Sequence, residues 1–222
     1  MDGILNINKP KGFTSHDVVN IVRNRLKVKV GHTGTLDPNA TGVLPLCLGK
    51  ATKMTESISK ADKVYKGILI LGKTTDTQDI TGKVLSCREV NISREDIQTA
   101  VDFFVGGYEQ IPPMYSAVKI KGKRLYELAR KNIEIERPSR AVKIYSIIPD
   151  FLSTTEVELV VHCGKGTYIR ALCRDIGEKL GVGGVLGDLC RLRVGDFKIE
   201  DSFTIEEFRE GKFEILPADR II

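Results

Sequence analysis

Apolar residues in this 222-residue chain come in short runs, some alternating like a strand and others spaced like a helix, in no regular order. A chain without regular strand–helix–strand alternation does not build an all-parallel doubly wound sheet. The pattern points to an α+β fold around a mixed, mostly antiparallel sheet flanked by helices and loops. Strands are predicted at 3–8, 43–48, 63–71, 140–148, 156–162 and 191–199, with 115–120 extended. The second half of 63–71 is apolar throughout and reads as buried on both faces. Thr14-Ser15 offers an N-cap to a helix over 15–27, with Val18, Val19, Val22 and Leu26 on one face. Shorter helices are predicted at 51–60, 125–131, 168–180 (ended by Gly181) and 204–209. Ser93-Arg94-Glu95-Asp96 opens another, with Ile97, Val101, Phe104 and Val105 on its buried face, stopped by Gly106-Gly107. Residues 31–42 hold three Gly and one Pro and follow neither period. A loop of that length inside a domain usually serves function. No repeat or linker appears, so residues 1–222 are expected to form one domain.

Composition excludes several classes. Hydrophobic residues at 41% and charged residues at 28% are ordinary globular values, not those of a disordered chain or a fibre. The longest apolar stretches, such as Ile68 to Leu71, are far too short to cross a bilayer. The opening Met1-Asp2-Gly3-Ile4-Leu5-Asn6 is mixed, with no secretory leader. The five cysteines are odd in number, with no CxxC spacing, and the three histidines share no short motif with them. That usage suits a reducing compartment and gives neither a disulfide framework nor a zinc site, so a cytoplasmic, metal-free protein is expected. The net charge of +5 is unevenly placed: residues 1–60 carry nine basic against four acidic residues, and residues 119–143 carry nine against three. Two basic zones on an otherwise neutral chain suit a partner with a phosphate backbone.

Gly67-Ile68-Leu69-Ile70-Leu71-Gly72-Lys73-Thr74 matches the nucleotide-binding P-loop pattern letter for letter. A phosphate cradle needs a flexible loop opening a helix, and Ile-Leu-Ile-Leu followed by a polar turn supplies neither. Residues 181–187 are glycine-rich but miss the dinucleotide spacing, and His162 reads as an ordinary strand histidine. Asp37 stands apart. An acid before proline is commonly a turn cap, but this one lies in the long loop, in the basic part of the chain, five residues after His32.

At this point the motifs carry a resemblance. Gly31-His32-Thr33-Gly34-Thr35-Leu36-Asp37-Pro38 with Ala40-Thr41-Gly42-Val43-Leu44 resembles the catalytic loop of the TruB-type tRNA pseudouridine synthases. Lys9-Pro10-Lys11-Gly12-Phe13-Thr14-Ser15 resembles that family's opening signature. Tyr65 in Lys63-Val64-Tyr65-Lys66, the run from Thr75 to Gly82 and the run from Gln110 to Lys119 fit in order. So do Gly166-Thr167-Tyr168-Ile169-Arg170-Ala171-Leu172 and Leu189-Cys190-Arg191-Leu192-Arg193-Val194-Gly195. The resemblance ends near Leu216-Pro217-Ala218-Asp219, so the small RNA-binding PUA domain of most members is not expected here.

The resemblance implies the pseudouridine synthase fold and conversion of uridine 55 in the tRNA T loop to pseudouridine. That isomerisation needs no cofactor, since nothing is oxidised and no group leaves. Asp37 is then the nucleophile, Arg170 its charge partner, and Tyr65 the ring packed on the target base. A base tucked into a folded loop must be flipped, and His32 is the residue expected to fill its place. Lys9 and Leu189, within the shared motifs, are further substrate-binding candidates. Lys119, Lys121, Lys123, Arg124, Arg130 and Lys131 lie in an RNA-clasping insertion around 107–140 and are expected on tRNA phosphates. A monomer acting on one tRNA, with no membrane partner, completes the expectation. An RNA chaperone without chemistry and the guide-RNA-dependent, dyskerin-type relatives are the rivals.

Overall fold

The computed structural model describes residues 1–120, 122–131 and 133–218. The first part of the chain forms β1 (Gly3–Lys9), α1 (Ser15–Leu26), β2 (Val30–His32) and β3 (Thr41–Leu48). A 3-10 turn (Gly49–Met54) then runs into α2 (Thr55–Ser59) and β4 (Lys63–Leu71). Next come β5 (Lys73–Thr75), β6 (Val84–Cys87), α3 (Arg94–Asp102) and β7 (Gly106–Gln110). β8 (Lys119–Ile120), β9 (Lys123–Arg124) and α4 (Leu125–Ala129) precede the long strands β10 (Arg140–Phe151) and β11 (Glu156–Cys163). The chain closes with α5 (Ile169–Lys179), β12 (Gly184–Val194), β13 (Phe197–Lys198) and α6 (Ile205–Glu210). The main sheet runs β1-β3-β12-β4-β11-β10-β7, with β2 on β3 and β13 on β12. The α+β class with a mostly antiparallel central sheet is therefore the observed one. The chain divides into two compact units, Met1–Lys66 with Asp188–Ile222, and Gly67–Gly187.

In the first unit β1 and β3 are buried on both faces. Leu5, Ile7, Leu44, Leu46 and Leu48 face Val18, Val19 and Val22 of α1 and Phe208 of α6. Ile4, Val43 and Cys47, on alternate positions, face Ile58, Val194 and Phe197. α1 starts where the sequence places it: Thr14 caps it through a box with Asp17, and Lys27 ends it in the left-handed conformation. The antiparallel register sets Lys9 opposite Gly42. β12 joins β3 in parallel, Cys190 opposite Thr41 and Arg191 opposite Gly42. This approach requires glycine: at φ +104° a Cβ on Gly42 would lie 2.2 Å from the Arg191 carbonyl oxygen.

The second unit contains the antiparallel run β11-β10-β7, with Ile147 opposite Val161 and Arg140 opposite Gln110. Ile97, Val101 and Phe104 are buried, as the helical spacing implied, whereas Phe103 and Val105 are exposed. The Gly67-to-Leu71 stretch is strand, so the P-loop reading fails as its side chains demanded. Its inner face is buried while Ile68 and Ile70 are only half-buried, which corrects the expectation of two buried faces. Residues 115–120 extend only at β8. Gly106-Gly107 begins β7 rather than merely ending a helix. β12 starts seven residues before the predicted 191, inside the glycine-rich stretch. Those glycines serve packing: a Cβ on Gly184 would meet the Cys173 carbonyl at 2.5 Å and one on Gly187 would meet Ile70 at 2.9 Å.

Gly42→Ala should destabilise the protein by about 2–4 kcal/mol, from overpacking and backbone strain together. Urea unfolding measures this, and a loss below about 0.5 kcal/mol, the level of a neutral surface change, would contradict the close approach.

Candidate active site

Most backbone groups of the aperiodic segment that are bonded reach fixed elements around it. Thr33 donates from both its amide and its hydroxyl to the Pro45 carbonyl, each at 3.2 Å. Arg191, 1% exposed, donates from Nη2 to the Gly34 carbonyl at 3.1 Å and from Nε to the Val43 carbonyl at 2.8 Å. Leu36 is held twice by buried Ser15, its N–H donating to Oγ at 2.9 Å and its carbonyl accepting from Oγ at 3.2 Å. The Pro38 carbonyl accepts from the Gly12 amide at 2.8 Å, and the Ala40 amide donates to the Asp37 carbonyl at 3.1 Å. Asp37 therefore sits between two anchored neighbours with its own side chain exposed. Such an arrangement presents a carboxylate with its backbone already fixed.

Lys9 completes the loop's support. Its side chain is fully buried, and its three N–H groups meet the carbonyls of Pro10 (2.9 Å), Phe13 (2.6 Å) and Pro38 (3.2 Å). Burial lowers its pKa to about 8, the Asp37 charge opposes the drop, and Arg191 adds to it. The nitrogen of this predicted substrate-binding residue is thus directed at backbone on the far side of the loop. His32, half-buried on β2, accepts the Gly34 N–H at Nδ1 (3.3 Å), which leaves the proton of a neutral ring on Nε2. Burial, then Arg191 and His16, hold its pKa below the usual histidine range. The Leu189 carbonyl, next to the loop's end, accepts from Thr41 Oγ1 at 3.4 Å. Tyr65 lies on β4 and is 9% exposed. The first unit thus gathers Lys9, His32, Asp37 and Leu189 at one loop.

Arg170 belongs to the second unit, at the second residue of α5, with 7% of its side chain exposed. Its guanidinium donates to the carbonyls of Thr77 (3.1 Å) and Tyr115 (2.7 Å) and lies 3.7 Å from Asp79 Oδ2. Asp79 is oriented by its neighbours: Oδ1 accepts from Thr77 Oγ1 (2.8 Å), the Thr81 amide (3.0 Å) and Thr81 Oγ1 (2.5 Å). Lys119, Lys123, Arg124, Arg130 and Lys131 are exposed on the β8–β9 hairpin and around α4, while Lys121 lies outside the described residues. This segment has its own small core of Met114, Val118, Leu125 and Ala129. Arg124 and Arg130 flank Tyr126, their guanidinium carbons 5.8 Å and 5.4 Å from the ring centre.

A profile described as TruB family pseudouridylate synthase (N terminal domain) matches residues 21–169. One described as tRNA pseudouridylate synthase B C-terminal domain matches residues 170–215. The chain belongs to the TruB family. Proteins named tRNA pseudouridine synthase B from Alkaliphilus oremlandii and Clostridium kluyveri are 55% and 54% identical to it. These matches cover 94% and 100% of this chain and 70% and 78% of those proteins. Among solved structures, one titled "Crystal Structure of a Cbf5-Nop10-Gar1 Complex" aligns with a TM-score of 0.75 at 31% identity. Another, "Structure of H/ACA RNP bound to a substrate RNA containing 2'-deoxyuridine", aligns at 0.71 and 28%. Each alignment covers 98% of this chain and 60% of the solved chain, so this chain spans less than two thirds of their length.

Within this TruB-family chain, sequence reasoning did not single out Ser15, Arg191 or Asp79. Ser15 reads as part of a helix cap and Asp79 as part of a polar turn, and the partners that give them other roles are distant in sequence. Only the motifs around them carry a signal.

The Lys9 ammonium should titrate near 8, followed by side-chain NMR, against about 10.4 for an unperturbed lysine. Asp37→Asn removes the charge that opposes the depression and should lower the value further. A wild-type midpoint near the unperturbed value, or no response to Asp37→Asn, would contradict the placement of Lys9 beneath the aspartate loop.

Proposed function

We propose that this chain isomerises uridine 55 in the T loop of tRNA to pseudouridine, with Asp37 as nucleophile. Relatives named tRNA pseudouridine synthase B, matched along nearly the whole chain, support tRNA as the substrate. The observation that carries the mechanism is the exposed Asp37 side chain between the clamped Leu36 and Pro38. The reaction breaks the bond between N1 and C1′, turns the base, and joins C5 to C1′. The C5 proton leaves and N1 gains one, so atoms and charge balance without oxidant, reductant or leaving group. Asp37 bonds transiently to the nucleotide and is expelled again as a free carboxylate before product leaves, so the covalent intermediate divides the exchange into two easier steps.

The remaining residues take the roles that the family resemblance implies. Extruding a stacked base costs a few kcal/mol, and the neutral ring of His32 offers a flat surface for the vacated stack. Tyr65 packs on the base and assists removal of its C5 proton. Arg170 pairs with the Asp37 carboxylate, for which a planar guanidinium is better suited than an ammonium. Lys119, Lys121, Lys123, Arg124 and Arg130 bind tRNA phosphates, and Leu189 touches the substrate. Lys9 contributes by holding the loop. The protein acts as a cytoplasmic monomer on one tRNA at a time.

Tritium release from tRNA transcript labelled at uracil C5 tests this reading. Wild type should release tritium, mapped to uridine 55, and Asp37→Asn should lose at least about 1,000-fold in rate, the scale of removing a nucleophile. Tight tRNA binding without release would overturn the enzymatic reading, and comparable release by Asp37→Asn would overturn the nucleophile.

A further inference from the structure

α5 begins without the usual help. Its N-cap, Tyr168, makes no side-chain capping hydrogen bond. The N-cap backbone itself is held from β7. Gln110, 1% exposed at the end of that strand, accepts the Tyr168 N–H at Oε1 (2.8 Å) and donates from Nε2 to the Tyr168 carbonyl (3.1 Å). One side chain thus binds both backbone groups of a single residue, as a strand neighbour would. Nε2 also donates to the Tyr108 hydroxyl. Tyr108 in turn interacts with Asp175 on α5, which Arg174 binds at 2.5 Å and 2.8 Å.

The consequence falls two residues further on. Arg170 reaches the carbonyls of Thr77 and Tyr115 only while the first turn of α5 stays in place, and the Tyr168 backbone is where that turn begins. A buried amide with two opposed hydrogen bonds fixes that position in rotation as well as translation, because donor and acceptor must both be satisfied. We propose that Gln110 is a positioning residue for Arg170, acting through the Tyr168 backbone and not by touching substrate. The proposal rests on the assignment of Arg170 to the reaction.

The test compares Gln110→Met, which keeps size and removes both hydrogen bonds, with Gln110→Glu, alone and in an Arg170→Lys background. Single-turnover tritium release and tRNA affinity are both measured. Gln110→Met should slow the chemical step on the order of 100-fold, the scale of a small misplacement of a reacting group. The tRNA dissociation constant should change less than about threefold. In the Arg170→Lys background the same substitution should add almost nothing, since the two residues act as a unit. A merely structural role would give additive losses, or losses in affinity and rate together, and would overturn the proposal.

Gln110→Glu supplies a second readout if Gln110→Met does not fold. A protonated carboxyl presents one donor and one acceptor, as the amide does to Tyr168, whereas a carboxylate cannot donate. Its activity relative to wild type should therefore be recovered at low pH and lost as pH rises through the carboxyl pKa, which burial raises. Tyr108 contacts the position, with Asp175, Arg174 and Glu178 linked to it through Tyr108, and all are present in both proteins, so the ratio isolates the introduced group. A flat ratio, or Gln110→Glu matching wild type at every pH, would overturn the proposal. If Arg170→Lys alone leaves the rate unchanged, the role of Arg170 falls instead, and that result is distinct.

Discussion

The site depends on a buried ammonium. Taking the Lys9 charge out of water is costly unless every N–H finds an acceptor, and the three carbonyls of Pro10, Phe13 and Pro38 meet that requirement. Two of these carbonyls belong to the turn before α1 and one to the residue after Asp37. Lys9 itself is fixed by β1, whose register with β3 sets it opposite Gly42. One side chain therefore ties the strand, the helix entry and the aspartate loop together. The electrostatics agree with this geometry: burial lowers the Lys9 pKa and Asp37 partly restores it.

The same principle recurs in the second unit with different residues. Arg170 is not left to find its own position; two backbone carbonyls and a carboxylate oriented by Thr77 and Thr81 surround it. Two residues before it, Tyr168 makes no side-chain cap, and Gln110 holds its backbone N–H and carbonyl. In both units a charged group sits next to backbone that a buried polar side chain has fixed. Buried polar networks of this kind stabilise only when fully satisfied, and then they specify one arrangement.

Much of the fold was legible because its periods are strong. The strand over 63–71 has the observed bounds, and α1 and α5 end within a residue of their predicted limits at each end, because caps and apolar spacing act locally. The glycines misled. Gly184 and Gly187 carry no side chain to show alternation, so the first seven residues of β12 were hidden until the neighbours they admit, Cys173 and Ile70, were placed. β2, three residues long, is too short for any period to register. Asp37 was legible as an acid in a long glycine-containing loop. The supporting partners of that loop were not, because Lys9, Ser15 and Arg191 reach it from 21 to 157 residues away in sequence. Lys9 illustrates the limit: its position in a motif marked it out, but only the structure shows its nitrogen spent on backbone.

The central claim, that the loop is fixed before any substrate arrives, is most directly tested by amide hydrogen exchange on the free protein. Gly12, Leu36 and Ala40, which donate to the Pro38 carbonyl, Ser15 Oγ and the Asp37 carbonyl, should be protected in the wild type. In Lys9→Met the protection of Gly12 and Ala40 should fall while the paired amides of β10 and β11 keep theirs. Exchange of these three wild-type amides at the rate of an open loop would contradict the account.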